Sequence, residues 1–391
     1  MTYPNNTIDW LKKLISFDTT SRYSNLELIH YVKNFCQSLN LSPRLTFNND
    51  QTKANLFVTV PATNSGQAIF NGGFVFSGHT DVVPVDGQVW DSDPFSATIK
   101  DGKLYGRGAC DMKGFIACCL AILPSIVKQS NENNLTNPIH FALSFDEEIG
   151  CLGMPLLLDD LQQQGIKPDY CIVGEPTMMK MVTAHKGIQV YHCRVHGKSA
   201  HSSLTPQGVN AISYASKIIN FIDDLAEKLQ HEEQDLAFDV PFSTLSVGTI
   251  NGGTATNVVP NLCEFTFDFR NLPHVCTESV ILPIREFIQS LNQKMQAVDN
   301  ACFAELHQDC NVPAMNDDDS IVLQVLIENL VDEKMRHKVA YATEGGQFTN
   351  AGIPTVICGC GDIAQAHKAN EFVSLEQLEK CEKFLMDIVK S

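Results

Sequence analysis

Histidine and carboxylate side chains follow several apolar segments of the sequence, and such side chains hold divalent metal ions. His79 and Asp81 come after GGFVFSG (72–78), and Glu147 and Glu148 come after IHFALSF (139–145). Comparable positions are taken by Glu175 after DYCIVG (169–174), by His367 after IPTVICG (353–359) and by Asp111 in GRGACDMKG. Ligands of open α/β sheets bind beyond the carboxyl ends of the strands. The sequence therefore predicts a metal site at that edge of a sheet.

The number of these side chains predicts two metal ions rather than one. Any single histidine or acid of the group is commonly only a solvated or hydrogen-bonded side chain, so the shared position is what indicates a site. Two histidines and three or four carboxylates exceed the needs of one tetrahedral ion, which takes three protein ligands in a catalytic site. Two ions can share one carboxylate. These ligand types suit zinc, cobalt and manganese alike.

The acidic run in SFDEEIG places three like charges side by side, which is costly unless cations compensate them. Neighbouring residues of a strand point to opposite faces, so Glu147 and Glu148 can serve one site only from a turn beyond the strand. We expect Asp146 to help fix that turn. Asp81 lies two residues after His79, on the same side of an extended segment, and we expect its carboxylate to accept the other ring N–H of His79.

The elements that must position these residues form two domains in the sequence pattern. Apolar strands alternate with helical segments at 112–128 and 153–165, and residues 7–40 predict a helix, or a helix pair broken near Thr19–Asn25. After about residue 184 the order becomes strand, helix, strand, strand, helix, strand, which is ferredoxin-like. We therefore predict a discontinuous α/β catalytic domain, residues 1–183 and 312–391, with an inserted ferredoxin-like α+β domain, residues 184–311.

Composition excludes some classes of partner. The formal net charge of −17 argues against nucleic acid, which needs a basic patch. The longest apolar runs, such as GFIACCLAIL, are too short to span a bilayer, and the N-terminal segment lacks the pattern of a signal peptide, so we expect a cytoplasmic protein. The fourteen cysteines lie in apolar contexts and form no C-x-x-C. They predict buried thiols in a reducing compartment rather than a structural thiolate zinc site.

The segments SGHTDVVP, GRGACDMKG, DEEIG, GEPT and AHKANEF together resemble a family, the dinuclear zinc amidohydrolases. That family includes acetylornithine deacetylases, succinyl-diaminopimelate desuccinylases, aminoacylases and carboxypeptidases, and the resemblance covers nearly the whole chain. It implies that Asp111 bridges two zinc ions, that His79 and Glu175 complete one site, and that Glu148 and His367 complete the other. It also implies amide hydrolysis with Glu147 as general base and Asp81 orienting His79.

The resemblance extends to the insert. The segment GKSAHSS matches the family histidine that reaches into the partner subunit's active site to stabilise the oxyanion, which implies that role for His201 and a homodimer formed through the insert. Asn257 in GGTATNVVP and Arg270 in FDFRNLP match substrate-binding positions. An arginine can hold a substrate carboxylate through a bidentate pair, although its chemistry fits a surface ion pair equally well.

The region around Thr343–Glu344, the run GCGDIAQAH and RNLP resemble the acetylornithine deacetylases of the family. The desuccinylases carry Ser-Asp-Gly-Arg where this chain has Glu344–Gln347. The resemblance implies that Glu344, with Gly346 beside it, lies in the substrate pocket, where an anionic Glu344 could pair with an ornithine ammonium group. The pair Gly345–Gly346 departs from the family pattern. A desuccinylase or another N-acyl amino acid deacylase is the alternative.

Two other classes are weaker. A nucleotide-binding oxidoreductase is suggested by GCGDIA (359–364), which matches G-x-G-x-x-A, but the match lies too near the end of the chain to open a full dinucleotide-binding unit. The sequence has no G-x-S-x-G motif, so it gives no indication of a serine hydrolase. A non-catalytic binding relative is disfavoured because the base and all the metal ligands are present.

Overall fold

The computed structural model describes residues 2–64 and 67–391, and the chain divides into two compact units. The first unit contains the described residues up to Ala184 together with Met315–His337 and Thr343–Ser391, and the second contains His185–Ala314 and Lys338–Ala342. The predicted domains divide the chain at residues 184 and 312, and the two units divide it after Ala184 and after Ala314. The short segment Lys338–Ala342 belongs to the second unit, which the sequence pattern does not indicate.

The strands and helices are numbered along the chain. The strands are β1 (Arg44–Phe47), β2 (Ala54–Val60), β3 (Ala62–Asn64), β4 (Gln67–Ile69), β5 (Phe74–His79), β6 (Thr98–Lys100), β7 (Lys103–Tyr105), β8 (Ile139–Ser144), β9 (Tyr170–Pro176), β10 (Val182–His185), β11 (Ile188–His196), β12 (Thr244–Gly252), β13 (Leu262–Arg270), β14 (Phe303–Val312), β15 (His337–Val339), β16 (Thr355–Gly359) and β17 (Phe372–Ser374). The α-helices are α1 (Thr7–Ile15), α2 (Leu26–Ser38), α3 (Lys113–Asn131), α4 (Gly153–Gln164), α5 (Ala211–Leu229), α6 (Thr277–Gln296), α7 (Ile321–Glu328), α8 (Gly345–Asn350) and α9 (Leu375–Lys390).

A mixed sheet forms the centre of the first unit, with the strand order β1-β2-β8-β5-β9-β16-β10. The pairs β8–β5, β5–β9 and β9–β16 are parallel, whereas β1–β2, β2–β8 and β16–β10 are antiparallel. Every residue of β5 and β8 is buried, as expected for parallel strands covered on both faces. The predicted break in the N-terminal helical region lies between α1 and α2.

Helix α3 is the apolar core helix of the first unit, and it begins at Lys113, two residues after Asp111. It is 19 residues long and apolar enough, by length and composition, to cross a membrane, but most of it is buried inside the unit. The run GFIACCLAIL is therefore only the first part of a longer helix. Leu120 and Leu123 of α3 belong to the same hydrophobic cluster as Trp10 of α1 and Phe384 of α9, so burial against protein explains its composition.

The second unit is a four-stranded antiparallel sheet in the order β12-β13-β11-β14. Burial alternates along β11 and β13, because successive strand residues point to opposite faces. Phe265 and Phe267 point to the buried face and join one hydrophobic cluster with Ile218 of α5 and Ile284 of α6. With the helices placed between the strands in sequence, this is the predicted ferredoxin-like order, and the predicted mixed α/β fold class is confirmed.

Candidate metal centre

Four neighbouring strands bring the predicted ligands to one edge of the sheet. His79 is the last residue of β5, Glu147 and Glu148 lie in the turn after β8, and Glu175 lies near the end of β9. His367 follows β16 after a short 3₁₀ turn. Because β8, β5, β9 and β16 are consecutive and parallel, their carboxyl ends lie side by side. Asp111 reaches the same place from the loop that precedes α3.

Asp111 has one carboxylate oxygen on each side of the centre. Its Oδ1 lies 3.0 Å from Nε2 of His79, and its Oδ2 lies 3.4 Å from Nε2 of His367. The carboxylate is almost completely buried, at 6% exposure. One acid that faces two different histidines through its two oxygens has the arrangement required of a carboxylate that bridges two metal ions.

The remaining acids lie around the two histidines. Glu148 Oε2 is 3.0 Å from Nε2 of His367, and Glu175 Oε1 is 3.7 Å from Nε2 of His79. Donor atoms of His79, Asp111 and Glu148 all lie within 4.8 Å of one another, and so do those of His79, Glu147 and Glu175. Glu147 therefore lies as close to His79 and Glu175 as a metal ligand would. Proximity alone does not separate a base from a ligand.

The pKa values of the site show how much the acids and histidines depend on cations. Burial raises the pKa of Glu147 and of Glu175 well above the usual glutamate value, and burial together with Asp111 raises the pKa of Glu148 to about 7. Burial alone would raise the pKa of Asp111, but hydrogen bonds from His367 and His79 lower it well below its usual value. The bonds to Asp111 and Glu148 raise the pKa of His367 to about 10.

The donors fit a pair of divalent ions. His79 Nδ1 lies 2.9 Å from the backbone carbonyl of Asp81, so Nδ1 carries the hydrogen and donates it. The lone pair of Nε2 is then directed at Asp111, where a cation or a second proton is needed to avoid repulsion between the two acceptors. Without a metal the histidines bind that second proton themselves. Burial alone would lower the pKa of His79, but the nearby acids raise it well above its usual value.

The structure corrects the predicted role of the Asp81 carboxylate. The backbone carbonyl of Asp81, rather than its side chain, accepts the ring N–H of His79, because Oδ1 lies 3.7 Å from Nδ1. The carboxylate instead accepts the backbone N–H groups of Glu147 and Glu148, at 3.1 and 3.2 Å, and the Ser21 hydroxyl, at 2.8 Å. Asp81 therefore orients both the histidine and the glutamate turn, through different atoms.

The turn after β8 gives Asp146 a structural explanation. Asp146 has a φ of 56°, in the left-handed region, and its carboxylate pairs with Lys53. Its backbone carbonyl accepts the N–H of Leu152 at 3.0 Å, and the carbonyl of Glu147 accepts the N–H of Gly150 at 2.9 Å. This closed turn directs Glu147 and Glu148 to the same site, although they are neighbours in the chain.

Glu371 clamps the loop that carries Asp111, and our reading of the sequence missed it. Its Oε1 accepts the N–H groups of Cys110 and Asp111, at 2.8 and 3.1 Å, and its Oε2 accepts the N–H of Gly108, at 2.9 Å. Oε2 also pairs with Arg107 Nη1 at 2.8 Å, and both side chains are 1% exposed. Glu371 stands in the segment AHKANEF, but residue types do not predict hydrogen bonds to backbone groups that are distant in the chain.

Glu344 is buried beside this centre in the first unit, at 1% exposure. Its Oε2 lies 3.4 Å from the hydroxyl of Ser77 on β5, and its Oε1 makes no well-formed hydrogen bond within the described part of the chain, although the Ser144 hydroxyl lies near enough to lower the pKa of the carboxyl. Burial raises the pKa of Glu344 to about 7. Gly346 is buried in the first turn of α8, directly after Glu344. An unpaired buried carboxylate oxygen is a place where a cationic group can be accepted.

The three predicted residues of the insert lie within the second unit. His201 is exposed, and its Nδ1 accepts the backbone N–H of Ser203 at 3.2 Å. The backbone carbonyl of Asn257 accepts the N–H of Ser202 at 3.0 Å, next to the bridge between His201 and Val258. Arg270 Nε donates to Asp268 Oδ2 at 3.0 Å. His201 and Asn257 are therefore held together by backbone pairing.

Known proteins are similar to this chain in sequence and in fold. The profile of peptidase family M20/M25/M40 matches residues 75–391. An acetylornithine deacetylase of Pasteurella multocida (strain Pm70) is 33% identical over 383 residues, which cover 96% of this chain and 93% of the relative. One of Myxococcus xanthus is 34% identical and covers 96% and 94%. The crystal structure of aminopeptidase PepT from Bacillus cereus ATCC 10987 is similar in fold, with a TM-score of 0.73, 21% identity, and coverage of 98% and 97%.

Proposed function

The chain belongs to peptidase family M20/M25/M40 and is a metal-dependent amide hydrolase, and from this premise we propose that it removes the acetyl group from N²-acetyl-L-ornithine. The products are L-ornithine and acetate, which places the reaction in arginine biosynthesis. The observation that carries the chemistry is Asp111, whose two oxygens face two histidines. The substrate is supported by relatives named acetylornithine deacetylase at about one third identity over nearly the full chain.

Two zinc ions are the proposed cofactors, with cobalt as a possible substitute. Asp111 would bridge them, His79 and Glu175 would complete one site, and Glu148 and His367 would complete the other. When bound, such ions lower the pKa of a water molecule and polarise a carbonyl. The paired histidines and acids support this assignment, because the Nδ1 hydrogen bond of His79 leaves Nε2 directed at Asp111.

Glu147 moves the proton in the proposed reaction. Its carboxylate takes a proton from the attacking water, whose oxygen forms the new bond to the acyl carbon. Glu147 then gives the proton to the amine nitrogen as the C–N bond breaks. Burial raises its pKa well above the usual value in the metal-free chain, and the two cations would lower that pKa again, so that Glu147 can take the proton and release it. His201 of a second subunit is proposed to stabilise the oxyanion.

Substrate recognition is assigned to four residues. Arg270 and Asn257 would hold the carboxylate and acyl group, because a guanidinium suits a carboxylate. Glu344 would accept the ornithine ammonium group, with Gly346 beside it. The unpaired Oε1 of Glu344 supports this pairing. Removal of a succinyl group from diaminopimelate, or of an acyl group from another amino acid, is the alternative within the family. We also propose a cytoplasmic homodimer formed through the second unit.

Side-by-side hydrolysis assays test the substrate. The purified chain is loaded with zinc and supplied with N-acetyl-L-ornithine, N-succinyl-diaminopimelate and N-acetyl-L-methionine. We expect the highest kcat/KM for N-acetyl-L-ornithine and about two zinc ions per chain by elemental analysis. A clear preference for the succinyl substrate would overturn the proposed substrate but not the hydrolase. A chain that holds no metal after gentle purification and zinc loading would contradict the dinuclear centre.

A further inference from the structure

Three cysteine side chains from separate elements meet inside the first unit. Cys118 lies on α3, Cys360 directly follows β16, and Cys381 lies on α9. All three are 0% exposed, and each offers a sulfur within 4.8 Å of the other two. They are far apart in the sequence and form no C-x-x-C, so the sequence pattern did not reveal them. The three are called the thiol cluster below.

Hydrogen bonding within the thiol cluster favours loss of the proton from one of its sulfur atoms. Burial alone would raise the pKa of Cys381, but hydrogen bonds from Cys118 and Cys360 lower it to about 7. Burial raises the pKa of Cys118 well above the usual value, and its thiol lies 3.5 Å from the Leu378 carbonyl of α9. A thiolate, rather than a thiol, is the ligand that captures a metal ion, and here one is supported by two more sulfur atoms.

We propose that Cys118, Cys360 and Cys381 bind one soft d¹⁰ metal ion through their three sulfur atoms. Thiolate ligands select Cu(I) and zinc among the biological metals. Three ligands favour Cu(I), because structural zinc takes four ligands. Binding releases thiol protons and requires α9 to open locally from α3. The proposal does not depend on the histidine–carboxylate centre.

An anaerobic titration tests the thiol cluster. The full chain, carrying Cys276→Ala to remove the exposed thiol and saturated with zinc, competes for Cu(I) with a chromophoric Cu(I) chelator. We expect one tightly held Cu(I) per chain, with three sulfur neighbours by X-ray absorption. Cys381→Ala should weaken binding by more than the roughly 10- to 100-fold that the loss of an outer partner costs. Cys171→Ala, which removes a buried thiol of β9 outside the cluster, should leave it unchanged.

The X-ray absorption measurement needs no cluster variant, so it decides the matter even if Cys381→Ala does not fold. Nitrogen and oxygen neighbours would show that the ion binds elsewhere, and two sulfur neighbours would show that the three sulfur atoms do not hold it together; either result would overturn the three-sulfur site. Equal affinity of Cys381→Ala and its parent would mean that the three thiols only fill the core. A parallel titration with Zn²⁺ identifies the ion. Retention of Zn²⁺ by the cluster in place of Cu(I) would overturn the copper preference, while three-sulfur binding of either ion supports the site.

Discussion

At the scale of single residues, neighbouring glutamates are given different tasks by one turn. Glu148 lies 3.0 Å from His367 and is a proposed ligand, whereas Glu147 lies 3.9 Å from His79 and is the proposed base. Both depend on Asp81, which accepts their two backbone N–H groups. The assignment therefore predicts that Glu148 affects the amount of bound metal and that Glu147 affects only turnover.

Glu147→Gln should reduce kcat by roughly 10²- to 10⁴-fold, the usual contribution of general acid–base catalysis, while leaving the metal content intact. Glutamine keeps the shape of the side chain but cannot take the proton. Elemental analysis and steady-state kinetics on the same preparation check this. Glu148→Gln is the matched control and should lose metal as well as turnover. Loss of metal from the Glu147 variant would show that the two roles are exchanged.

Glu344→Gln should lower kcat/KM for N-acetyl-L-ornithine by roughly 10- to 100-fold, the range expected for one hydrogen bond to a charged group. The hydrolysis of N-acetyl-L-methionine, which has no ammonium group on its side chain, should change little. The ratio of the two kcat/KM values is the measurement. An equal loss for both substrates would mean that Glu344 supports the sheet beside Ser77 rather than recognising a cation.

Residue types and positions at strand ends were sufficient to predict that His79, Asp111, Glu148, Glu175 and His367 lie close together, because parallel strands present their ends to one edge. That these residues bind metal stays a prediction. Residue types and positions could not predict which atom of Asp81 meets His79. That choice depends on the turn after β8, whose N–H groups occupy the Asp81 carboxylate. Glu371 was missed for a related reason, since its partners are backbone groups more than 250 residues away in the chain.

At the scale of elements, the loop before α3 is rigid where it carries Asp111. Gly108 has a φ of 79°, and a side chain there would place its Cβ 2.7 Å from Val82 and 3.0 Å from Lys113, so only glycine fits without strain. The Gly108 N–H donates to Glu371, only four residues after His367. The same acid therefore ties Asp111, the proposed bridging ligand, to the segment that carries His367, a second proposed ligand.

Glu371→Gln should weaken metal binding by roughly 10- to 100-fold, as removal of partners behind the ligands commonly does. The amide group has only one acceptor oxygen, so at least one loop N–H loses its partner and the Arg107 charge loses its counter-ion. Competition against a chelator gives the affinity. Glu376→Gln, an exposed acid at the start of α9, is the control. Unchanged affinity in the Glu371 variant would show that the loop holds its shape alone.

The order of the longer strands and helices was predictable because apolar runs and helical periodicity are local signals, whereas short strands such as β6, β7 and β10 carry too few residues to show a pattern. The placement of β16 between β9 and β10 was not predictable, since pairing partners in a sheet are chosen by tertiary packing. The same limit applies to Lys338–Ala342, which is too short to carry a pattern that assigns it to the second unit.

At the scale of the whole molecule, buried neutral histidine makes stability depend on pH. His140 of β8 lies 2.9 Å from both Thr59 Oγ1 and the Gly72 carbonyl, and burial lowers its pKa to about 4. An unfolded chain binds this proton near pH 6.5, so the contribution of His140 is complete above that pH and is lost as the pH falls toward 4. The loss over this window is about 3 kcal/mol.

Urea unfolding of the metal-free chain at pH 7 and pH 4.5 measures this effect. His140→Gln should reduce the acid-induced loss in the free energy of unfolding, because glutamine cannot be protonated. His30→Gln, at an exposed position of α2, should leave that loss unchanged. If the two variants behave alike, His140 is not the group that takes up the proton.

Mixed dimers test the proposed exchange of His201 between subunits. Glu147→Gln and His201→Ala chains should each be nearly inactive. After the two are unfolded together and refolded in equal amounts, roughly one quarter of the active sites should recover, because half of the dimers in a symmetric two-chain assembly pair the two variants. Activity and sedimentation of the mixture are measured together. No recovery in a confirmed dimer would show that His201 acts within its own chain.

The position of β16 also has a consequence for biosynthesis. This strand lies between β9 and β10 in the sheet, and His367 follows it. On a ribosome, a nascent chain that has not reached residue 355 therefore has β9 and β10 without their shared neighbour, and it has only part of the ligand set. Non-local pairing of this kind is slow and leaves strand edges exposed. Metal can stabilise the finished centre only after β16 has joined the sheet and His367 has been translated, so metal loading should follow the pairing of β16.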